Sequence, residues 1–351
     1  MTLTTPAYAA RSPTSTLAPL TIERREPGKR DLLIDIDFCG ICHSDIHQTR
    51  DEWGGAIFPM VPGHEIIGHV AAKGSEVNKW EVGDTVGVGV IVDSCRQCGP
   101  CKAGEEVYCE NRASYTYNGR EQDGKTPTFG GYSTRITVDQ DYLLRKPKGI
   151  PLNRAGPLMC AGITTYSPLR HFGVKEGQAV AVLGLGGLGH MGVKFAKAMG
   201  AHVTVLSHSP GKKEDAKRFG AEFLTMNSSD AFKENEKKFD FILDTVSAKH
   251  DYDAYLRLLK MDGTMALVGI PEPGSVRPQS LVDERRRLVG SQAGGIRETQ
   301  EMLDFSAFHG IAADVEMTPI QKANDAFERT MRSDVRYRFV IDMESLRTHG
   351  S

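Results

Sequence analysis

A glycine pattern at residues 184–189 is the feature that most constrains the fold of this 351-residue chain. Gly184, Gly186 and Gly189 have GxGxxG spacing, directly after the apolar run 179–183 and at the start of a predicted helix over 188–199. The glycines permit a tight turn, close approach of backbone to a pyrophosphate and close packing of helix on strand, and a helix N-terminus favours negative charge. The pattern therefore predicts a dinucleotide site. The alternative is a glycine-rich turn with no ligand.

The pattern of apolar residues divides the chain into two kinds of region. After about residue 160, further strands are predicted at 202–206, 241–245 and 265–269, alternating with helices, which indicates a parallel sheet covered on both faces. From about 30 to 145, short apolar runs broken by Gly, Pro and Asp predict an antiparallel, barrel-like β region. The tail from about 291 contains two helix-like stretches and a strand at 336–342, which we expect to return to the first region.

The end of the second predicted strand selects between the two nicotinamide cofactors. An acidic residue there would hold the ribose 2′-hydroxyl of NAD and repel a 2′-phosphate. This strand ends in Ser207, followed by His208, Ser209, Lys212 and Lys213. Hydroxyls and cations suit a phosphate, so the sequence predicts NADP. The alternative is that the lysines are only a solvated helix start.

Four cysteines in a Gly- and Pro-rich loop have the spacing of a metal site. Cys95, Cys98, Cys101 and Cys109 offer four thiolates and no vacancy, which is typical of structural zinc. A cluster of reduced thiols or a pair of disulfides is the alternative.

A second set of ligand-type residues is dispersed along the chain. Cys42, His64 and Cys160 offer two thiolates and one imidazole, and three ligands leave the open position that a catalytic zinc requires. Each taken alone has an ordinary explanation, because Cys160 could be a small buried residue and His64 a hydrogen-bonded core histidine. Their co-occurrence with polar neighbours favours the metal site. Those neighbours are Ser44, Asp45, His47 and Glu65. Cys39 and Cys42 could also form a redox CxxC pair, but we interpret Cys39 as a buried thiol.

Length, charge and cysteine use limit the remaining possibilities. A chain of this length favours two domains. A formal net charge of −2 gives no global electrostatic reason to bind nucleic acid or an anionic membrane. No stretch of about 18 apolar residues is present, and six of the seven cysteines fall into metal-like spacings. We therefore expect a cytoplasmic protein with reduced thiols and a small-molecule substrate.

Taken together, these motifs resemble the medium-chain zinc-dependent alcohol dehydrogenases, and in particular their cinnamyl-alcohol-dehydrogenase-like branch. The likeness runs from about 25 to 345 and rests on the segments 39–48, 63–68, 160–166, 184–192 and 334–342. It implies a GroES-like β-barrel catalytic domain at 1–161 and 290–351. It also implies a Rossmann NADP-binding domain with a doubly wound parallel sheet at 162–289, and an active site in the cleft between the two.

The resemblance assigns roles to individual residues. Cys42, His64 and Cys160 would hold the catalytic zinc, Glu65 would be able to approach it, and Asp45 would hydrogen-bond the far nitrogen of His64. Ser44 and His47 match a proton relay in which the substrate proton passes through Ser44 and the nicotinamide ribose towards His47. The predicted cofactor contacts are Thr164, Gly184, Gly186, Gly187, Leu188, Gly189, Ser207, His208, Ser209, Lys212, Thr245, Gly269, Ser291 and Arg336.

The implied activity is hydride transfer between NADP(H) and primary alcohols or aldehydes, aromatic or aliphatic, by a homodimer with two zinc ions per chain. Trp53 and Gln292 are predicted to face the substrate, although Trp53 could equally be a core residue. Plant lignin-pathway members carry bulky apolar residues where this chain has Gln292 and Ala293, so the resemblance does not single out cinnamyl alcohol. The rival interpretations are a zinc-free reductase of the same fold and a non-catalytic structural or redox-sensing relative.

Overall fold

The computed structural model describes residues 2–348. Met1 and residues 349–351, which the predicted catalytic domain includes, lie outside the described residues. The described chain divides into two compact units, one containing the chain up to Ile163 and from Gly294 onwards, the other Thr164–Ala293. We call these the first and second units. The domain boundaries predicted from the sequence, and the zinc and NADP roles attached to them, stay predictions.

The elements are numbered in chain order. The strands β1 to β17 are Thr2–Ala9, Ala18–Arg25, Asp31–Gly40, Ile66–Lys73, Thr85–Val88, Ile91–Asp93, Ser114–Tyr115, Arg135–Asp139, Leu144–Arg145, Ala179–Leu183, His202–Ser207, Glu222–Thr225, Phe239–Asp244, Leu259–Leu267, Arg287–Gly290, Val315–Pro319 and Arg338–Asp342. The helices α1 to α12 are His43–Thr49, Gly99–Ala103, Leu152–Ala155, Ala161–His171, Gly189–Ala198, Lys213–Arg218, Ser229–Glu234, Tyr252–Leu256, Pro278–Val282, Ile296–His309, Ala323–Met331 and Glu344–Thr348. Short 3-10 helices lie at Glu106–Tyr108, Gln140–Tyr142, Gly156–Met159, Pro210–Lys212 and Ile320–Lys322.

Strand β3 organises the first unit. It pairs antiparallel with β4 along one edge, while its other edge is shared between β8 at residues 31–35 and β17 at residues 38–40. Leu32, Ile34 and Ile36 are fully buried in the core of this unit, as strand periodicity requires when one face is covered. The predicted antiparallel β region is confirmed. The C-terminal strand returns to it as predicted, although it begins at Arg338 and not at residue 336.

The second unit is built on a parallel sheet. Among the described residues its order is β12-β11-β10-β13-β14-β15, which in chain order within the unit is 3-2-1-4-5-6. Val180, Ala181 and Val182 of the central strand β10 are fully buried, as expected for a strand covered on both faces. The strand order reverses between β10 and β13, the place where open α/β sheets bind ligands beyond the carboxyl ends of their strands. The predicted parallel sheet is confirmed. No helix within residues 2–348 combines the length and apolarity needed to cross a bilayer.

Candidate functional site

Three predicted ligands, distant in sequence, meet in the first unit. Cys42 lies just before α1, His64 just before β4 and Cys160 just before α4. Their ligand atoms and that of Glu65 all lie within 4.8 Å of one another, and the four residues are buried. The Sγ atoms of Cys42 and Cys160 are 3.8 Å apart. Zinc–sulfur bonds of about 2.3 Å in a tetrahedron place two sulfurs about 3.8 Å apart, so the donor set fits zinc.

Asp45 fixes two of the segments that bring these ligands together. Its Oδ2 accepts a hydrogen bond of 2.8 Å from the Cys42 backbone N–H, and its Oδ1 accepts one of 3.0 Å from the Gly63 N–H. Its Oδ1 also lies 3.3 Å from His64 Nδ1, an ion-pair distance without hydrogen-bond alignment. Asp45 thus holds the start of α1 against the segment that carries His64.

A buried ion pair stands beside the same cluster. Arg338, on β17, donates from Nη2 to Glu65 Oε1, and both side chains are almost completely buried. Burial raises the pKa of Glu65 to about 7, although the charge of Arg338 acts in the opposite direction. A carboxylate and a cation therefore lie next to the three ligands in a site shielded from water.

The two thiols of the cluster titrate as a pair. The hydrogen bond with Cys160 lowers the pKa of Cys42 well below its ordinary value, opposed by burial and reinforced by the charges of Arg338 and His64. The same hydrogen bond, followed by burial, raises the pKa of Cys160 well above its ordinary value. The pair thus favours a thiolate at Cys42 beside a thiol at Cys160, whereas a bound metal ion would require thiolates at both.

The predicted relay residues lie on α1. Ser44 Oγ is 3.6 Å from Cys42 Sγ, so its hydroxyl borders the ligand cluster. Ser44 and His47 are three residues apart, which places them on neighbouring positions of one helix face. His47 Nδ1 contacts the carboxylate of Glu52, and its ring stacks on Trp53 with centroids 5.1 Å apart. Nδ1 is thus engaged by Glu52, and Nε2 is the other ring nitrogen.

The four-cysteine loop forms a second cluster. The sulfurs of Cys95 and Cys101 are 3.9 Å apart, and those of Cys98 and Cys109 are 4.0 Å apart. The ligand atoms lie within 4.8 Å of one another, and every cysteine is a free thiol, so the predicted cluster is present without disulfides. These distances fit tetrahedral zinc as well as those of the first cluster. The predicted role of the four residues in holding structural zinc is proposed below.

Polar groups surround the sulfurs of this second cluster. Ser94 Oγ lies 3.1 Å from Cys101 Sγ and 2.6 Å from the Tyr142 hydroxyl. Asn111 donates from Nδ2 to Cys95 Sγ at 3.5 Å. Backbone N–H groups also point at sulfur, as at Cys98, whose N–H donates to Cys95 Sγ at 3.4 Å. Such donors stabilise thiolates.

The glycine pattern in the second unit has the predicted local geometry. Gly184 directly follows β10 and has φ +86°, a left-handed conformation that favours glycine. A Cβ at Gly189, the first residue of α5, would lie 2.1 Å from Gly184 O, so only glycine permits this close packing. A Cβ at Gly186 would meet open space. Thr245 closes the other side of the loop, because its Oγ1 donates to Leu183 O at 2.7 Å. The loop fits a pyrophosphate at a helix N-terminus.

The residues after β11 form an ordered polar turn. Ser207 is the last residue of β11, and its Oγ accepts a hydrogen bond of 3.1 Å from the Ser209 N–H. His208 Nδ1 lies 3.0 Å from Asn227 Oδ1, and its Nε2 lies 3.2 Å from the Tyr255 hydroxyl. Both ring nitrogens therefore have partners from outside the turn, which fixes the orientation of the imidazole.

The other predicted contacts lie apart along the chain. Thr164 is on α4, and Gly269 follows β14, where a Cβ would lie 2.4 Å from Val246 O. Ser291 Oγ donates to Gln292 O at 3.2 Å. These residues belong to the second unit, and their contacts with a cofactor stay predictions.

Arg336 belongs to the first unit, where its backbone N–H donates to Glu316 Oε1 at 2.9 Å. Its guanidinium lies 5.8 Å from the ring centroid of Tyr337. A role on the pyrophosphate likewise stays a prediction.

Three residues that lie beside the Cys42–His64–Cys160 cluster or contact His47 were not identified from the sequence. Arg338 begins a strand whose next three residues are apolar, a pattern that could have marked it as a buried, paired cation. Tyr117 stacks on His64 with centroids 5.7 Å apart, and Glu52 contacts His47. Neither has a local sequence signal, because each acts through a contact made by folding.

Comparison with known proteins gives consistent matches over the whole chain. Residues 28–148 match the alcohol dehydrogenase GroES-like domain, and residues 187–307 match the zinc-binding dehydrogenase domain. NADP-dependent alcohol dehydrogenase C 1 of Mycolicibacterium smegmatis is 54% identical, over 98% of this chain and 99% of its own. Aldehyde reductase YahK of Escherichia coli is 51% identical, over 97% of each chain.

A solved structure agrees with these matches. The structure of CAD from Helicobacter pylori complexed with NADP(H) is 39% identical, with a TM-score of 0.93, over 98% of this chain and 99% of its own. The predicted GroES-like and Rossmann fold class is therefore confirmed. The chain belongs to the medium-chain zinc-dependent alcohol dehydrogenases, in their cinnamyl-alcohol-dehydrogenase-like branch.

Proposed function

We propose that this chain is an NADP(H)-dependent alcohol dehydrogenase and aldehyde reductase, which transfers hydride between the cofactor and primary alcohols or aldehydes. The observation that carries the proposal is the convergence of Cys42, His64 and Cys160 in one buried cluster, with their ligand atoms within 4.8 Å of one another and of Glu65. The relatives named for NADP-dependent alcohol oxidation and aldehyde reduction support the same reaction.

Cys42, His64 and Cys160 would hold the catalytic zinc, and Cys95, Cys98, Cys101 and Cys109 the structural one. When bound at the first cluster, zinc supplies a Lewis acid, which lowers the pKa of an alcohol hydroxyl or polarises a carbonyl. Arg338 keeps the buried charge of Glu65 compensated beside that cluster. Asp45 orients His64 from behind, as carboxylates commonly do for metal-binding imidazoles.

Proton movement is assigned to α1. Ser44, which borders Cys42, accepts the hydroxyl proton of the alcohol and passes a proton on towards His47. Glu52 and Trp53 hold the His47 ring, so that its Nε2 is presented as the terminal acceptor. In aldehyde reduction the same groups deliver the proton in the opposite direction. Trp53 and Gln292 are proposed to face the substrate, which is an aromatic or aliphatic alcohol.

The cofactor is assigned to the domain at 162–289. The loop at Gly184, Gly186 and Gly189 would take the pyrophosphate, and the turn at Ser207 would take the 2′-phosphate. Gly187, Leu188, His208, Ser209 and Lys212 complete these two subsites, while Thr164, Thr245, Gly269, Ser291 and Arg336 contact the remainder of the cofactor. We further propose a homodimer, and a location in the cytoplasm, which the free cysteines support because reduced thiols are usual in that compartment.

Metal analysis and a cofactor assay together test the proposal. The purified protein is expected to contain two zinc ions per chain and to oxidise NADPH in the presence of benzaldehyde, much faster than NADH. A chelator that removes one zinc should abolish turnover and leave NADPH binding, followed by its fluorescence, unchanged. Turnover that survives complete loss of that zinc would instead indicate a zinc-free reductase of the same fold.

Ser207→Asp tests the cofactor assignment. A carboxylate facing a phosphate of about −2 charge costs on the order of a few kcal/mol, so NADPH binding should weaken by about one to three orders of magnitude while NADH binding holds or improves. The matched control is Ser207→Asn, because asparagine has the shape of aspartate without its charge. This variant should lose far less NADPH affinity. Equal NADPH affinity in the Asp and Asn variants, measured by fluorescence titration, would contradict the assignment.

His47→Gln tests the relay. The variant should retain two zinc ions and its NADPH affinity. Alcohol oxidation should slow by roughly 10- to 100-fold, which is less than the rate contribution of about 10² to 10⁴ made by a direct general base. The deficit should be largest at low pH and narrow as pH rises, because hydroxide then takes over the role of the base. Zinc content and the pH profile of kcat are the measurements. Loss of a zinc ion from this variant would show that His47 is a ligand and not a relay residue.

A further inference from the structure

Arg24 is a buried cation that the proposed reaction does not use. It lies on β2 and only 8% of its surface is exposed. The next residue, Arg25, forms ion pairs with Asp31 and Glu121, whereas the hydrogen-bond partners of Arg24 are neutral. Burial lowers the pKa of Arg24 to about 9, opposed by the charge of Glu121, so the group is still a cation at neutral pH. A buried charge without a hydrogen-bonded counter-ion is costly, and its retention requires a reason.

The hydrogen bonds of Arg24 go to one short segment, residues 129–133. Its Nη2 lies 2.8 Å from Phe129 O, 2.9 Å from Gly130 O and 2.8 Å from Ser133 Oγ, so its two N–H groups are shared among three acceptors. The Ser133 hydroxyl in turn donates to Gly130 O at 2.8 Å. One guanidinium thus holds the carbonyls of two successive peptide groups.

The N–H groups of those same two peptides face the segment that carries His64. In the peptide group between Phe129 and Gly130, the oxygen accepts from Arg24 and the N–H donates to Val61 O at 2.8 Å. In the next peptide group, between Gly130 and Gly131, the oxygen also accepts from Arg24 and the N–H donates to Gly63 O at 2.9 Å. Hydrogen bonds in series polarise one another, and a cation at one end strengthens both. Two peptide groups therefore connect Arg24 to the residues just before His64.

Further contacts make this connection rigid. The Tyr132 N–H donates to Pro62 O at 3.0 Å, so three successive amides of the 129–133 segment bind three successive carbonyls. A Cβ at Gly130 would lie 2.4 Å from the oxygens of Pro62 and Gly63, which shows that the two backbones are in direct contact. Gly63 has φ +105°, and its N–H is bonded to Asp45. The peptide linking Gly63 to His64 is therefore held through its oxygen by the 129–133 segment.

We infer that Arg24 is a positioning residue for the zinc ligand His64, acting through the peptide groups of the 129–133 segment. The inference rests on the proposed function in that it takes His64 to be a zinc ligand. It explains why a guanidinium, and not an apolar side chain, occupies this position of β2. A cation within hydrogen-bond distance of two successive carbonyls polarises their peptides, which an apolar side chain cannot do.

Arg24→Met and Arg24→Gln test the inference, with Arg25→Met and Arg25→Gln as matched controls on the same strand. The Met variant removes both charge and donors, and the Gln variant removes the charge but keeps an amide. Each protein is titrated with a chelator, and the zinc remaining per chain is measured. We expect the more weakly held zinc of Arg24→Met to be lost at a chelator concentration about 10- to 100-fold lower than for the unmodified protein, as for other groups that orient metal ligands. The second zinc should be unaffected.

Two further readouts separate positioning from general destabilisation. Cobalt substituted at the Cys42–His64–Cys160 cluster should show an altered visible spectrum in Arg24→Met and an intermediate one in Arg24→Gln. The spectrum should be unchanged in both Arg25 variants, even where their melting temperatures fall. In addition, kcat should fall in the Arg24 variants while NADPH affinity is unchanged.

Zinc retention and cobalt spectra identical to those of the Arg25 variants would overturn the inference. If Arg24→Met does not fold, Arg24→Gln compared with Arg25→Gln decides in the same way. If the unmodified protein holds no metal at this cluster, it is the proposed zinc function that fails, and the titration shows this before any variant is made.

Discussion

The two cysteine clusters of the first unit use similar sulfur spacings in opposite surroundings. In the loop cluster, the paired sulfurs come from cysteines 6 and 11 residues apart in sequence, and Cys95 and Cys109 are partly exposed. In the Cys42–His64–Cys160 cluster, the two sulfurs come from residues 118 apart, and every member is buried. Neutral donors such as Ser94 and Asn111 surround the loop cluster, whereas ionised groups surround the dispersed Cys42–His64–Cys160 cluster.

This difference indicates what each cluster depends on. A short loop with few apolar residues has little core of its own, so its fold would depend on the metal ion that we propose it binds. The dispersed cluster is held by strands and helices that pack independently of it, and its buried charges tune the ligands and do not create the fold. Loss of a ligand from the loop cluster should therefore unfold its region, and loss of a ligand from the dispersed cluster should abolish activity.

Cys101→Ser should produce the largest effect. Structural zinc binding is worth on the order of 10 kcal/mol and is coupled to folding, so the yield of soluble folded protein should fall sharply. Cys39→Ser is the matched control, since it makes the same change at a buried thiol outside both clusters and should cost only about 1 to 3 kcal/mol. Thermal melting and zinc content are measured. Full thermal stability of Cys101→Ser with one zinc per chain would remove the proposed distinction.

Cys160→Ser should leave a folded protein that has lost most of its activity. Lewis-acid stabilisation is worth several kcal/mol, so turnover should fall by about 10² to 10⁴. NADPH binding, measured without substrate, should be unchanged, because the predicted cofactor loops lie in the second unit. A variant that unfolds as Cys101→Ser does would show that both clusters are structural.

Ser94→Ala should have the smallest effect. Loss of one hydrogen bond to Cys101 Sγ should lower the stability by about 1 kcal/mol and weaken zinc binding in the loop by roughly tenfold. The comparison variant is Tyr142→Phe, which removes the hydroxyl that contacts Ser94 but leaves the serine in place. For each variant, the midpoint of chelator-induced unfolding is measured. Reduced turnover with unchanged stability in Ser94→Ala would show that the two clusters are coupled.

The same contrast explains what could be predicted from the sequence. Local spacing was sufficient to predict two groups of residues, because the members of each lie near one another in the chain. These groups are the four cysteines Cys95, Cys98, Cys101 and Cys109, and the glycines at 184–189, which directly follow a strand. Cys42, His64 and Cys160 were found because their types fit one site and their segments resemble a known family. Arg24 and Arg338 were not found, because a buried cation is recognisable only once folding has shown which groups it faces.

The pairing of β17 with β3 has a consequence for biosynthesis. The loop cluster has its four cysteines once residue 109 has emerged, so it can take up an ion while the ribosome is still working. Glu65 must wait for Arg338, which is made 273 residues later, or about 15 to 55 s at ordinary rates of translation. Until then β3 lacks β17 along one edge, and the segments around the dispersed cluster cannot take up their final packing. We therefore expect the loop cluster to be loaded first and the dispersed cluster last, and we expect a nascent chain stalled before residue 338 to carry a single zinc.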